Sequence, residues 1–141
     1  MCDTYNLERF VEAQKSDYDV ALREIREGGG KRSHWIWFVF PQMASLGFSY
    51  NARFFGISCL DEARAYLAHP ILGKRLRQIT EALLQHKDKD VLSIFGAIDT
   101  LKVCSCMTLF DVVSPDDVFG LVLKTFYEDK RDTQTLALAR G

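Results

Sequence analysis

The run Lys31-Arg32-Ser33-His34-Trp35-Ile36-Trp37-Phe38-Val39-Phe40-Pro41-Gln42 sets two cations, a hydroxyl and an imidazole against six large apolar side chains. Lys31 offers a point charge and Arg32 a planar fork, both suited to an anion. Ser33 is placed to cap a helix, whose first N–H groups and macrodipole also favour negative charge. Trp35 or Trp37 can stack on a base, a sugar face or a planar cation. An unperturbed imidazole titrates near neutrality, which suits His34 to proton shuttling, and Gln42 can read a polar edge. The pattern points to binding of a small anionic ligand with a flat part, a nucleotide-like metabolite, with His34 the candidate catalytic group where binding extends to turnover. Two other readings stay open. The Trp-rich segment can dock a partner protein without catalysis, using Trp and Arg as anchors. Or Ser33 merely caps, the cations are solvated and the aromatics are core.

The remaining candidates for chemistry are weaker. Cys104 and Cys106 are spaced i, i+2, which on a helix points them about 200° apart. They cannot both ligate one ion, no zinc-type Cys/His pair accompanies them, and small core residues are the expectation. His69 and His86 fall at predicted helix ends and read as partners of helix C-termini. Asp99 and Lys102 are i, i+3 and can pair on one face. There is no G-x-S-x-G elbow, P-loop, dinucleotide fingerprint, H-E-x-x-H or EF-hand loop. No metal and no cofactor is expected.

These residues must be positioned by helices, since the patterning is helical nearly throughout. Leu7, Phe10 and Val11 mark one short helix over Asn6–Gln14. Ser16-Asp17-Tyr18-Asp19 resembles a capping box that opens a second, with Tyr18, Ala21, Leu22 and Ile25 on its face. Gly28-Gly29-Gly30 ends it. The aromatic run reads as a buried helix ended by Pro41. Met43 to Ile57 reads as a loop and a short helix. Ser58-Cys59-Leu60-Asp61 opens a helix with Leu60, Ala63 and Leu67, and Pro70 sits in the first turn of the next. That helix carries Leu72, Leu76, Ile79 and Leu83, with Lys74, Arg75 and Arg77 solvated. Val91 to Phe95 forms a short apolar turn closed by Gly96. Asp99 caps a helix bearing Leu101, Cys104, Thr108 and Val112. Ser114-Pro115-Asp116-Asp117 starts the next, lined by Phe119, Val122, Leu123 and Phe126. Asp132 caps a last short helix. The sum is an all-α fold, a single irregular globular domain of about seven or eight short helices rather than a four-helix bundle.

Bulk properties agree. With 141 residues, 48% apolar and 26% charged, the chain suits one domain over residues 1–141 that needs neither disulfide nor metal to fold. A net charge of −1 argues against nucleic acid or an anionic membrane as partner. The longest wholly apolar run, Trp35 to Phe40, is too short to span a bilayer. The first residues carry no export signal, and four cysteines then read as thiols in a reducing compartment. A cytoplasmic location is the expectation.

Several blocks carry a resemblance. They are Asn6 to Gln14; Lys31-Arg32-Ser33-His34-Trp35 through Phe38 with Phe40-Pro41-Gln42; Leu60 to Leu67; His69-Pro70-Ile71-Leu72-Gly73; Leu76-Arg77; Ile94-Phe95-Gly96; Asp99; Leu101-Lys102; Ser105; Met107 to Phe110; and Thr135-Leu136. Together they resemble a bacterial family of unknown function, number 1810 in the domain-of-unknown-function series, over nearly the whole chain. Its members are sometimes labelled calpastatin-like, a label with no counterpart in these residues. The resemblance implies a small, mainly helical domain and no stated reaction. Cys104 and Cys106 stand where the family pattern tends to carry Arg and Ser, which weakens any thiol mechanism. The triple glycine looks like an insertion. The matching polar residues place the site: Lys31, Arg32, Ser33, His34, Gln42, Asp99, Lys102 and Ser105.

Overall fold

A computed structural model describes residues 5–27, 35–46 and 49–140. Lys31, Arg32, Ser33 and His34, with the expected glycine stop at Gly28-Gly29-Gly30, lie outside the described residues. Eight helices are found among those described: α1 (Glu8–Glu27), α2 (Ile36–Val39), α3 (Tyr50–Phe54), α4 (Leu60–Ala68), α5 (Leu72–Leu84), α6 (Val91–Val113), α7 (Val118–Phe126) and α8 (Thr133–Arg140). A 3-10 turn at Ala44–Leu46 and one parallel bridge, Met43 to Ile57, join α2 to α3. The all-α reading stands.

Core packing follows from the helix faces. Leu72, Leu76, Ile79 and Leu83 of α5 are fully or almost fully buried. α5 packs on α1, α4 and α7, while α6 packs on α4, α7 and α8, so α4 and α7 bridge α5 and α6. Aromatic rings run through the interior: Phe10 meets Tyr66 edge-on at 5.0 Å, Tyr66 meets Phe110 at 5.5 Å, and Phe110 meets Phe119 at 5.7 Å. Each such contact adds to simple area burial. α5 can start this close to α4 because Gly73 has no Cβ; one built there would lie 2.0 Å from the Leu67 carbonyl oxygen.

Several local expectations are corrected. α1 is one helix, not two, and Ser16 lies inside it. The apolar stripe only looks broken at Gln14. That amide is buried and completes the stripe, donating to the Phe38 carbonyl at 2.6 Å and to the Tyr66 hydroxyl at 3.2 Å. At α4 the acid that reaches back is Glu62, not Asp61; its Oε1 accepts from the Ser58 N–H at 2.8 Å and the Ser58 hydroxyl at 2.7 Å. Pro70 precedes α5 rather than entering it. His69 is the C-cap of α4 through its backbone N–H, which donates to the Tyr66 carbonyl, while its side chain serves the N-terminus of α5, Nδ1 accepting from Ile71 and Leu72 N–H. His86 does serve a helix C-terminus, bonding the Arg26 carbonyl near the end of α1. Arg75 and Arg77 are half-buried and partnered rather than freely solvated. Arg75 reaches Gln14 and lies over the Tyr18 ring, and Arg77 pairs with Asp117 at 3.0 Å.

α6 is two helical stretches joined at Gly96, whose φ of 82° and ψ of 170° are not helical. The expected closure of Val91 to Phe95 at this glycine is therefore correct. Asp99 lies past the break rather than at an N-cap. Of the expected face Thr108 is fully buried, but Leu101 is 70% exposed; Thr100, Val103, Met107 and Phe110 are the residues that join Thr108 in the core. α7 starts later than the Ser114-Pro115 signal suggests: Asp117 caps it, accepting from the Val118 N–H at 2.7 Å. Asp132 does cap α8, accepting from the Thr135 N–H at 2.9 Å. By length and composition α6 also qualifies as a membrane-crossing helix, but half of its most apolar stretch is buried inside the protein.

Candidate functional site

α2 is a single turn, and its four side chains divide unequally. Ile36, Phe38 and Val39 point into the core, and Trp37 stays half-buried at the surface. The Gly96 break turns the start of the second α6 stretch toward this indole. Three residues apart, Asp99 and Lys102 share one helix face, and that face meets Trp37. Lys102 Nζ lies 5.1 Å from the centre of the Trp37 ring, within cation–π range. It lies 3.9 Å from Asp99 Oδ1. Ile36, Phe95, Gly96, Ala97 and Ile98 complete the walls of an open, mainly apolar cleft of about 560 Å³.

The structure thus brings together three residues of the sequence reading: Trp37, Asp99 and Lys102. It separates others from them. Trp35 is 0% exposed, tilted against Phe40, and its Nε1 donates to Glu24 Oε1 at 3.0 Å. No face of its ring is left for a ligand, so its stacking role is corrected to a core role. Ser105 is buried, and its hydroxyl returns to the Leu101 carbonyl at 3.2 Å, serving its own helix. Gln42 is half-buried away from the cleft walls; its carbonyl accepts from the Ile57 N–H at 2.8 Å in the Met43–Ile57 bridge.

The sequence reading missed the apolar wall of the cleft. Gly96 was the available signal, a glycine between two helical patterns and just before Asp99. It also missed a polar knot in which Arg9 donates to the carbonyls of Asn6, Phe54 and Gly56 and to Glu62 Oε2 at 2.8 Å. The cysteines carry no such promise. Burial pushes the Cys106 and Cys104 thiols up from their ordinary value, so neither is an activated thiolate. Among the described residues no group of three His, Cys, Asp or Glu side chains is arranged to hold a metal.

Fold and cleft define an all-α domain with a half-open pocket beside a broken helix. The chain belongs to the family described as "Protein of unknown function (DUF1810)", which matches residues 4–139. Among solved structures it is similar to the conserved hypothetical protein Rv1873 from Mycobacterium tuberculosis, with 43% identity and a TM-score of 0.95 over 99% of each chain. No curated protein matches the chain significantly.

Proposed function

We propose that this protein binds a small anionic metabolite with a flat part, of the nucleotide type, in the cleft between α2 and the Gly96 break. One observation carries the reading: Trp37 and Lys102, distant in sequence, line the same cleft with the Lys102 ammonium 5.1 Å from the indole centre. A cation supported by an aromatic ring in a mainly apolar hollow attracts negative charge beside a flat apolar group. Lys31, Arg32 and His34 directly precede α2 in sequence, and on sequence grounds they belong to the same reading as anion ligands and proton carrier.

A thermal-shift screen against nucleotides and sugar phosphates tests it. A ligand held well above its Kd raises the melting temperature by linkage. The shift is expected to shrink in Lys102→Met. No shift with any compound, or an undiminished shift in Lys102→Met, sinks the assignment. A second reading has its own support: Ile98 and Leu101 are 71% and 70% exposed beside the cleft, and exposed apolar groups that cluster mark docking sites. Protein docking on this face predicts that Ile98→Lys abolishes capture of the partner and leaves ligand-induced shifts intact.

A further inference from the structure

We propose that residues 128–140 form a latch that lifts from α6 as a unit while the rest of the fold stays intact. Its attachment is a ladder of polar contacts along one face of α6. Residues 100, 104, 108 and 111 follow at steps of four, four and three, so they share that face. The Tyr127 hydroxyl donates to the Thr100 carbonyl at 2.7 Å. Cys104 Sγ donates to the Lys130 carbonyl at 3.8 Å, a weak contact. The Asp132 N–H donates to Thr108 Oγ1 at 3.0 Å, and Arg131 Nε donates to Asp111 Oδ2 at 3.1 Å. The last is an ion pair whose side chains are 34% and 15% exposed. Water replaces such contacts when the segment lifts, so each holds it only weakly.

Apolar burial adds little on this side. Of the described side chains of α8 only Thr135 is buried, and its N–H and hydroxyl both go to Asp132, within the latch itself. Leu138 is 36% exposed, and α8 packs mainly on α6. Eight residues are too few for a helix to hold itself in water, so α8 unwinds once it is detached. The turn before it is strained. The N–H groups of Tyr127 and Asp129 both donate to the Leu123 carbonyl, which closes α7. Glu128 and Asp129 then take φ of 55° and 62°. Glycine is the usual residue at such a helix end. Two successive residues with side chains in the left-handed region store strain that lifting releases. Tyr127, on the α7 side of the turn and tied to Thr100, is the fixed post. Segments with few buried apolar contacts open at lower free energy than the core.

Hydrogen exchange of the full chain, read by mass spectrometry at urea concentrations below the unfolding transition, decides the point. The hydrogen-bonded amides of α8, from Leu136 on, are expected to exchange about 100-fold faster than those of α5 or more, with rates nearly flat in urea. Ile79→Val, in the core face of α5, is expected to speed α5 exchange about threefold to tenfold. It should leave α8 unchanged, because the latch opens without disturbing α5. Asp111→Asn removes one rung and is expected to speed all the α8 amides by the same factor, about twofold to fivefold. Should Asp111→Asn fail to fold, the wild-type protein and Ile79→Val decide. Protection of α8 equal to that of α5 with the same urea slope overturns the latch. So does equal acceleration of α5 and α8 in Ile79→Val, which means opening by global unfolding only. An effect of Asp111→Asn that is absent, or that changes along α8 residue by residue, overturns it as well.

Discussion

Trp35 and Trp37 stand two residues apart and meet opposite fates. Trp35 is enclosed, with its one polar atom held by Glu24. Trp37 leaves part of its ring to the cleft and to Lys102. Trp35 is the N-cap of α2, with non-helical φ and ψ of −132° and 3°, whereas Trp37 lies within the turn. Their truncations should separate in the same way. Trp35→Ala is expected to cost about 3–5 kcal/mol of stability, the range for deleting a large buried aromatic. Trp37→Ala should cost clearly less and should remove ligand-induced thermal shifts. Urea unfolding of both variants checks the first statement, and the reverse order of stabilities would contradict it. Nothing in the sequence Trp-Ile-Trp told these two rings apart. Both fit a buried run, and only the packing of Ile36, Phe38 and Val39 fixed which faces inward.

Capping at the element scale was legible as chemistry but not as position. The segment Ser114 to Asp117 holds every ingredient of a helix start, and the sequence reading took its first residue as the cap. In the structure Asp117 caps, and Ser114 closes α6, its hydroxyl donating to Asp117 Oδ2 at 2.8 Å. The Arg77 guanidinium, from α5, also reaches that oxygen. Burial by itself raises the Asp117 pKa. Hydrogen bonds from Val118 N–H, Ser114 and Arg77, with the Arg77 charge, outweigh burial and hold it below the ordinary aspartate value. A carboxylate whose folded pKa is depressed stabilises the fold above its unfolded pKa, about 3.9. That contribution is lost as pH falls through the lower, folded value. The urea midpoint should therefore drop on acidification below about pH 4. In Asp117→Asn the part of that drop due to this group should vanish. An acid limb identical in the two proteins would show that Asp117 contributes nothing to it.

At the scale of the whole molecule, one buried ion pair ties the start of α1 to the start of α4. Arg9 and Glu62 side chains are 10% and 2% exposed, and their charges meet at 2.8 Å. The guanidinium spends its other donors on backbone carbonyls, including those of Phe54 and Gly56 at the end of α3. Glu62 in turn holds Ser58. Removing one partner strands the other charge in a site with little water, which costs about 3–5 kcal/mol. Glu62→Ala should lose stability in that range by chemical denaturation. Arg9→Met with Glu62→Leu should lose less than the sum of the two single changes, because the pair is coupled. Strict additivity would mean that the contact has no energetic content. The Gln14 knot works alike, joining α1 to the Phe38 carbonyl, Tyr66 and Arg75. A buried amide of this kind keeps backbone and side-chain groups satisfied where no water reaches.

The sequence by itself determined the helical class, most helix faces and the family. Those follow from periodicities of apolar residues, and a stripe such as Leu72, Leu76, Ile79 and Leu83 buries itself whatever it packs against. Positions where a polar residue completes an apolar face, as Gln14 does, escaped that reading. So did the helices' mutual placement. Residue spacing sets the face on which Asp99 and Lys102 lie, but it cannot say which element that face meets. Only tertiary packing, with the backbone turned at Gly96, set that face against Trp37. The cleft exists because two stretches far apart in sequence close on each other, and that is decided by the total fit of the core rather than by any local pattern.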